Sequence, residues 1–262
     1  MTFQPFVPTG GLTGWRFLQS TLDAQRAAHA NGAAQKRDLN YFRETIGTVS
    51  TAAELVADRR LLTVALGAFG LDDDIDAKFL IRKVLEEGTD NPEALANRLS
   101  DKRYRDLSRA FEFGGGGVPA SVLPGFAARI EARYSERSFE ADLGNSDETM
   151  RLALNARREL AALADGEGSN RTKWFTLMGT PPLRKVMETA LNLPTAFATL
   201  PIDRQLEDFT ERARTIFGTD EIAELGQPAV LDPLLDRFTA MAGLADGAGV
   251  ASSPALVLLR GF

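Results

Sequence analysis

The 262-residue chain is 44% hydrophobic and 25% charged, an ordinary balance for a globular protein with room for a sizeable core. A formal net charge of −6 argues against general affinity for nucleic acid or anionic membranes. The absence of cysteine excludes disulfides, thiolate catalysis and Cys-ligated zinc or iron–sulfur centres, and leaves the compartment open.

The opening MTFQPFVPTGG carries two prolines and no basic stretch, and no long apolar run follows it. Neither a cleaved secretory signal nor a membrane span is therefore expected, and the start reads as an extended leader. Leu12 to Ala30 reads as an amphipathic helix. Trp15, Leu18, Leu22, Gln25 and His29 recur in alternating three- and four-residue steps, a narrow apolar seam stopped by Asn31-Gly32. Such a helix either packs back on its own domain or serves as an arm for a partner or a second copy. On the second reading Trp15, Leu18 and Leu22 are the partner-binding residues, and residues 1–37 form a flexible leader and arm.

Residues 38–246 read as the helical domain, beginning with Asp38 to Ile46. Thr51 and Glu54 make a capping box. The helix or helix pair after it runs through Leu55, Leu62, Leu66 and Phe69 and stops at Gly70. Asp72 to Asp74 are placed at the start of the next helix, where carboxylates complement the helix dipole. Its expected buried face is Phe79, Leu80 and Val84, with Ile81 beside them, and Gly88 ends it. Asn91-Pro92 reads as an N-cap with proline at the first helical position. A further helix restarts at Ser100 or Asp101 with Tyr104, Leu107, Ala110 and Phe111 on one side.

Gly114 to Gly117 is the clearest break, a flexible connector that admits two lobes hinged at 114–117. The pattern resumes at Phe126, Ile130 and Tyr134, either continuous to Leu163 or broken near Gly144-Asn145-Ser146, where Asn145 and Glu148 suit a second capping box. Short helices are expected at Thr172–Met178, Pro182–Leu191 and Thr195–Thr199. Ile202, Leu206, Phe209, Ala213 and Ile216 form the cleanest later seam, and Pro228–Leu244 is the last helix. Residues 247–262 read as a flexible apolar tail. No convincing alternating segment occurs, so the expected fold is all-α: a single irregular bundle of about 8–11 helices.

Chemistry is sparse. The single histidine, His29, reads as an exposed side chain and rules out His-pair metal sites. Asp72, Asp74 and Asp76 have the spacing of a calcium loop, but Ala77 stands where Gly is required and Lys83 where a bidentate Glu is required. The glycine run lacks the Lys and hydroxyl of a phosphate loop. Lys102, Arg103, Tyr104 and Arg105 are a basic-aromatic cluster flanked by Asp101 and Asp106, better suited to intrahelical ion pairs than to nucleic acid. Glu86 and Glu87, and Glu207, Asp208 and Glu211, resemble acid–base pairs yet lie opposite apolar seams. No catalytic, cofactor or metal residues are assigned.

DLNYFRETI (38–46), ALGAFGL (65–71), the run from Phe79 to Phe113, RLALNARREL (151–160) and the stretch from Pro182 through IDRQL (202–206) resemble a family of uncharacterised alphaproteobacterial proteins. That family is known as a domain of unknown function whose genes often lie among flagellar genes. The resemblance implies association with flagellar assembly or structure and transfers no residue role. The apolar tail after Gly247, broken by Pro254, departs from the sustained terminal helices of axial flagellar components.

The expectation is a non-enzymatic interaction or structural protein with flagellar partners, cytoplasmic or exported without a cleaved signal, able to self-associate through its N-terminal helix. The alternative is a small-molecule binder or carboxylate-using enzyme in an all-α cavity. A nucleic-acid regulator is the weakest reading.

Overall fold

The computed structural model describes residues 3–251, which contain fourteen α-helices, short 3-10 turns and no strand. Sequence patterning anticipates fewer helices because α3, α6 and α13 have only six, four and four residues, too few for a periodic signature. Contacts divide the described chain into two units.

The first unit comprises Asp23–Asp142 with the residues up to Pro5. It contains the end of α1 (Gly11–Ala30), then α2 (Ala33–Thr45), α3 (Ala52–Ala57), α4 (Arg59–Gly67), α5 (Lys78–Glu87), α6 (Leu95–Arg98), α7 (Arg103–Phe111) and most of α8 (Phe126–Gly144). Phe42, Leu55, Leu62, Ile81, Val84, Leu107, Phe111 and Phe126 form its core. The predicted capping box is present: Glu54 N–H donates to Thr51 Oγ1, and Thr51 N–H donates to Glu54 Oε2. Asp58 then separates α3 from α4 and caps the latter by accepting from the amides of Arg60 and Leu61. A carboxylate there satisfies amides that would otherwise lack partners, so one apolar run becomes a helix pair.

Several local expectations change. Asp72–Asp74 form a 3-10 turn, and α5 begins only at Lys78. The buried face of α5 is Ile81, Val84 and Leu85, while Phe79 is 82% exposed. Asn91-Pro92 lies in a turn in which Asn91 Oδ1 accepts from Glu93 N–H, and α6 starts only at Leu95. Helix α2 starts at Ala33, so the expected boundary at 37/38 falls within a helix. The four glycines lie inside the first unit.

The second unit comprises Phe6–Leu22 and the chain from Leu143 onward. It contains the start of α1, the last residues of α8, then α9 (Glu148–Asp165), α10 (Asn170–Met178), α11 (Pro181–Ala190), α12 (Ile202–Phe217), α13 (Ile222–Leu225) and α14 (Pro228–Ala251). The break between α8 and α9 is made by Asp147, which accepts from Met150 N–H, rather than by Asn145. Helix α9 packs against α11, α13 and α14. Trp15, Leu160, Trp174, Phe209 and Phe238 are buried. The tail expected from Gly247 is helical backbone to Ala251, and the remainder of that call, residues 252–262, lies outside the described residues.

Candidate functional site

The expected partner-binding stripe does not stand free. Trp15 and Leu18 are fully buried and Leu22 is half-buried. The Arg157 guanidinium lies 5.2 Å from the Trp15 ring centroid, and Arg16 pairs with Asp236 at 3.1 Å. The seam is thus used inside the fold, and it offers a partner almost nothing to touch. Its apolar surface is removed from water by the chain itself, which is the helix's alternative destination.

His29 is buried rather than exposed. Its Nε2 donates to Asp142 Oδ2 at 2.8 Å, and its ring meets Phe139 edge-on at 5.6 Å. Arg26–Glu136, Gln35–Ser138 and Arg43–Glu131 make further polar links within the first unit. This is a packing role.

The aspartates after Gly70 diverge instead of converging on a cation. Asp74 accepts from the Tyr104 hydroxyl at 2.8 Å, and Asp76 pairs with Arg59 at 2.8 Å. The Asp72 residue lies at the surface, but its carboxylate tucks over Gly67 beside the Tyr134 ring; a Cβ on Gly67 would stand 2.8 Å from Asp72 Oδ1 and 2.7 Å from Tyr134 Cε2. Loss of water there pushes the Asp72 carboxyl up. Burial, with the hydrogen bond to Asp74, pushes the Tyr104 hydroxyl up to about 12. Burial, reinforced by nearby carboxylates, does the same to Tyr134, also to about 12. Arg103 chelates Asp101 and donates to Gly70 O, and Lys102 Nζ donates to Leu99 O, so the basic-aromatic cluster ties its own loops together. No group of three or more His, Asp or Glu suited to a metal occurs among the described residues.

The acidic pairs are engaged as well. Glu86 pairs with Arg82 at 2.6 Å, Glu87 accepts from Leu95 N–H at 2.6 Å, and Arg204 reaches both Glu207 and Asp208. Glu211 is different: its carboxylate has no partner among the described residues, and it borders an open groove.

That groove, of about 630 Å³, lies in the second unit between residues 193–200 and the outer face of α12. Leu193, Pro194, Phe197, Leu200 and Ile216 supply its apolar lining, and Asp208, Glu211, Arg212 and Thr215 its polar edge. Leu200 is 38% exposed, and neighbouring Ile202 49%. Buried Gln205 holds the wall in place: Nε2 donates to Leu200 O at 2.6 Å and to Ala198 O at 3.3 Å, while Oε1 accepts from Arg184 at 2.6 Å. Phe197 anchors the same wall edge-on against Phe209, 4.9 Å between centroids. The sequence reading missed this feature because it placed Ile216, which lines the groove, in the buried seam. The signal lay in its position at the end of that seam, where a 3.5-residue pattern drifts off the face of a straight helix.

Fold and site together define an all-α protein whose charged clusters are paired internally and whose second unit carries an open apolar groove. The family model described as "Protein of unknown function (DUF1217)" matches residues 68–231, and the chain belongs to that family. The matched stretch includes the groove and excludes Trp15, Leu18 and Leu22. The X-ray crystal structure of a protein from Agrobacterium tumefaciens has the same fold, with a TM-score of 0.73 and 27% identity over 93% of this chain and 99% of that one. No curated protein matches the sequence.

Proposed function

We propose that this chain is a non-enzymatic interaction protein of flagellar assembly or structure that grips an apolar segment of a protein partner in the groove beside α12. The observation that carries the reading is the groove itself, with Leu200 left open to solvent on a wall fixed by Gln205 and Ile202 exposed close by in sequence. Covering one aliphatic side chain contributes about 1.5–3 kcal/mol, so each can anchor a partner. The flagellar setting rests on the family resemblance of the stretches quoted above. No helix among the described residues is long and apolar enough to cross a membrane. On this reading the protein acts in the cytoplasm or is exported with the flagellum.

The test is capture from motile cells with the full chain and with its Leu200→Asp variant, after circular dichroism shows that both fold. Recovery of a flagellar component should fall about tenfold or more in the variant, the loss expected for roughly 1.4 kcal/mol. Equal recovery by both chains would remove the groove from the account, and failure to recover any flagellar component would remove the setting.

A further inference from the structure

We infer that Asn31 is a modification site built into the α1–α2 corner: spontaneous loss of its side-chain amide, with rearrangement of the link to Gly32, releases the corner's grip on α8. The chemistry follows from one step in the sequence. Asn31 is the only asparagine in the chain followed by glycine. With no Cβ on residue 32, little hinders its backbone nitrogen from reaching Asn31 Cγ. That nitrogen gives up its proton and bonds to Cγ, and the side-chain nitrogen leaves as ammonia. The five-membered imide so formed takes up one water. Cleavage of the new bond gives an aspartyl residue. Cleavage of the original peptide link gives an isoaspartyl residue, whose backbone runs through Cβ and Cγ and is one carbon longer.

The fold delays this reaction by holding both reacting groups. Asn31 is exposed, yet its Nδ2 donates to Ala27 O at 2.8 Å, which ties the carboxamide to the preceding turn. Gly32 N–H donates to His29 O at 2.9 Å and closes α1, while Gly32 O accepts from Lys36 N–H at 2.9 Å and opens α2. Two hydrogen bonds of ordinary strength must open together before the nitrogen can attack. The reactive arrangement is thereby roughly tenfold or more rarer than in an unfolded chain.

The consequence falls on the first unit. On one side of the corner His29 Nε2 donates to Asp142 at 2.8 Å and Arg26 pairs with Glu136 at 3.1 Å. On the other side Gln35 Nε2 donates to Ser138 Oγ at 2.8 Å. All three partners lie on α8, so the end of α1 and the start of α2 hold one helix from both sides of Asn31–Gly32. An extra backbone carbon between them changes their spacing, and the two sets of contacts no longer fit α8 together. His29 has a single hydrogen bond to lose, because its buried Nδ1 has no partner among the described residues.

The full chain tests this when aged in warm neutral buffer and, in parallel, in urea, with peptide mapping to separate the aspartyl and isoaspartyl forms at position 31. Conversion there should outpace that at Asn145–Ser146 in urea and run about tenfold or more slower in buffer. Equal rates in the two solutions, or no preference for position 31 in urea, overturn the inference. The single histidine gives one imidazole signal by NMR. In chains aged in buffer a second signal should grow in proportion to the isoaspartyl form. Asn31→Gln, which keeps an amide but closes an imide ring far more slowly, should show neither change. Asn31→Asp supplies the charge without the extra carbon and should keep the His29–Asp142 hydrogen bond. Its loss in that variant would assign the effect to charge and overturn the spacing argument. Isoaspartyl chains that retain the parent histidine signal would overturn the link between Asn31 and the grip on α8.

Discussion

Gly114 crosses the backbone of Gly88 so closely that a Cβ built on Gly114 would stand 2.3 Å from Gly88 N and 2.7 Å from Glu86 O. Gly88, at φ +67°, ends α5 there, so two chain segments depend on each other's missing side chains. Gly114→Ala should cost about 1–3 kcal/mol by forcing the segments apart. Gly117, whose Cβ would meet nothing within 4 Å, is the control. Gly117→Ala should be neutral or stabilising by about 0.4–1 kcal/mol, because it restricts only the unfolded chain. Urea denaturation of both variants checks this, and equal stabilities would show that the crossing has slack.

The glycine run illustrates what was legible in the sequence and what was not. Read locally, four glycines are equivalent; the fold separates Gly114, which is pinned, from Gly117, which is open. Features whose physics is local were readable: the Thr51–Glu54 capping box, the positive-φ stops at Gly70 and Gly88, and the Tyr104–Leu107–Phe111 face. Phe79 failed because FLIRKVL supports two apolar registers on one helix, and only tertiary packing selects Ile81–Val84–Leu85. The α1 seam was visible, but its destination was not, since Trp15 meets Arg157, far away in the sequence. The groove was least legible of all, being formed by a loop wall and a helix face that no local pattern relates.

Asp58 joins three functions in one carboxylate. It caps α4, separates α3 from α4, and accepts from the Tyr41 hydroxyl. Burial works to raise its pKa, but the hydrogen bonds from Tyr41 and the Leu61 and Arg60 amides outweigh it and hold the carboxyl below the usual range. A depressed carboxylate contributes stability above its unfolded pKa of about 3.9 and loses it as pH falls through the folded value. Asp58→Ala should therefore cost about 1–2 kcal/mol at neutral pH and progressively less in acid. Chemical denaturation at neutral pH and near pH 3 reads both limbs; an equal loss at the two pH values would show that the ionised form is not what the cap requires.

All three tyrosines resist ionisation. The hydrogen bond to Asp58 raises Tyr41, while burial takes Tyr104 and Tyr134 to about 12. At about pH 10, where a free tyrosine is half-ionised, the native chain should show much less tyrosinate absorbance than three free tyrosines, with Tyr104 and Tyr134 contributing almost none. Because the folded values lie above the unfolded one, this contribution is intact below about pH 10 and is lost as pH rises toward 12. The thermal midpoint should fall across that window, and Tyr104→Phe should fall less steeply than the parent. Ordinary half-ionisation at pH 10 in folded protein would contradict the burial of these hydroxyls.

Gln205 determines whether the groove has a wall at all. Its amide bonds to Leu200 O and Ala198 O from one side of the residue, and Arg184 fixes its oxygen from the other. Besides Gln205, this stretch is held by its own short 3-10 turn, in which Leu200 N–H donates to Phe197 O, and by the Phe197–Phe209 contact. Gln205→Ala removes both amide donors and leaves the two carbonyls and the Arg184 guanidinium without that partner. The variant should lose about 1–3 kcal/mol of global stability. It should also lose a larger share of local protection: amide exchange in residues 195–201 should accelerate well beyond that of α9, which packs elsewhere in the same unit. Exchange followed by mass spectrometry separates the two effects. Uniform acceleration would mean that Gln205 supports the unit as a whole, whereas acceleration confined to the wall, together with weaker partner capture, would show that this one amide shapes the groove.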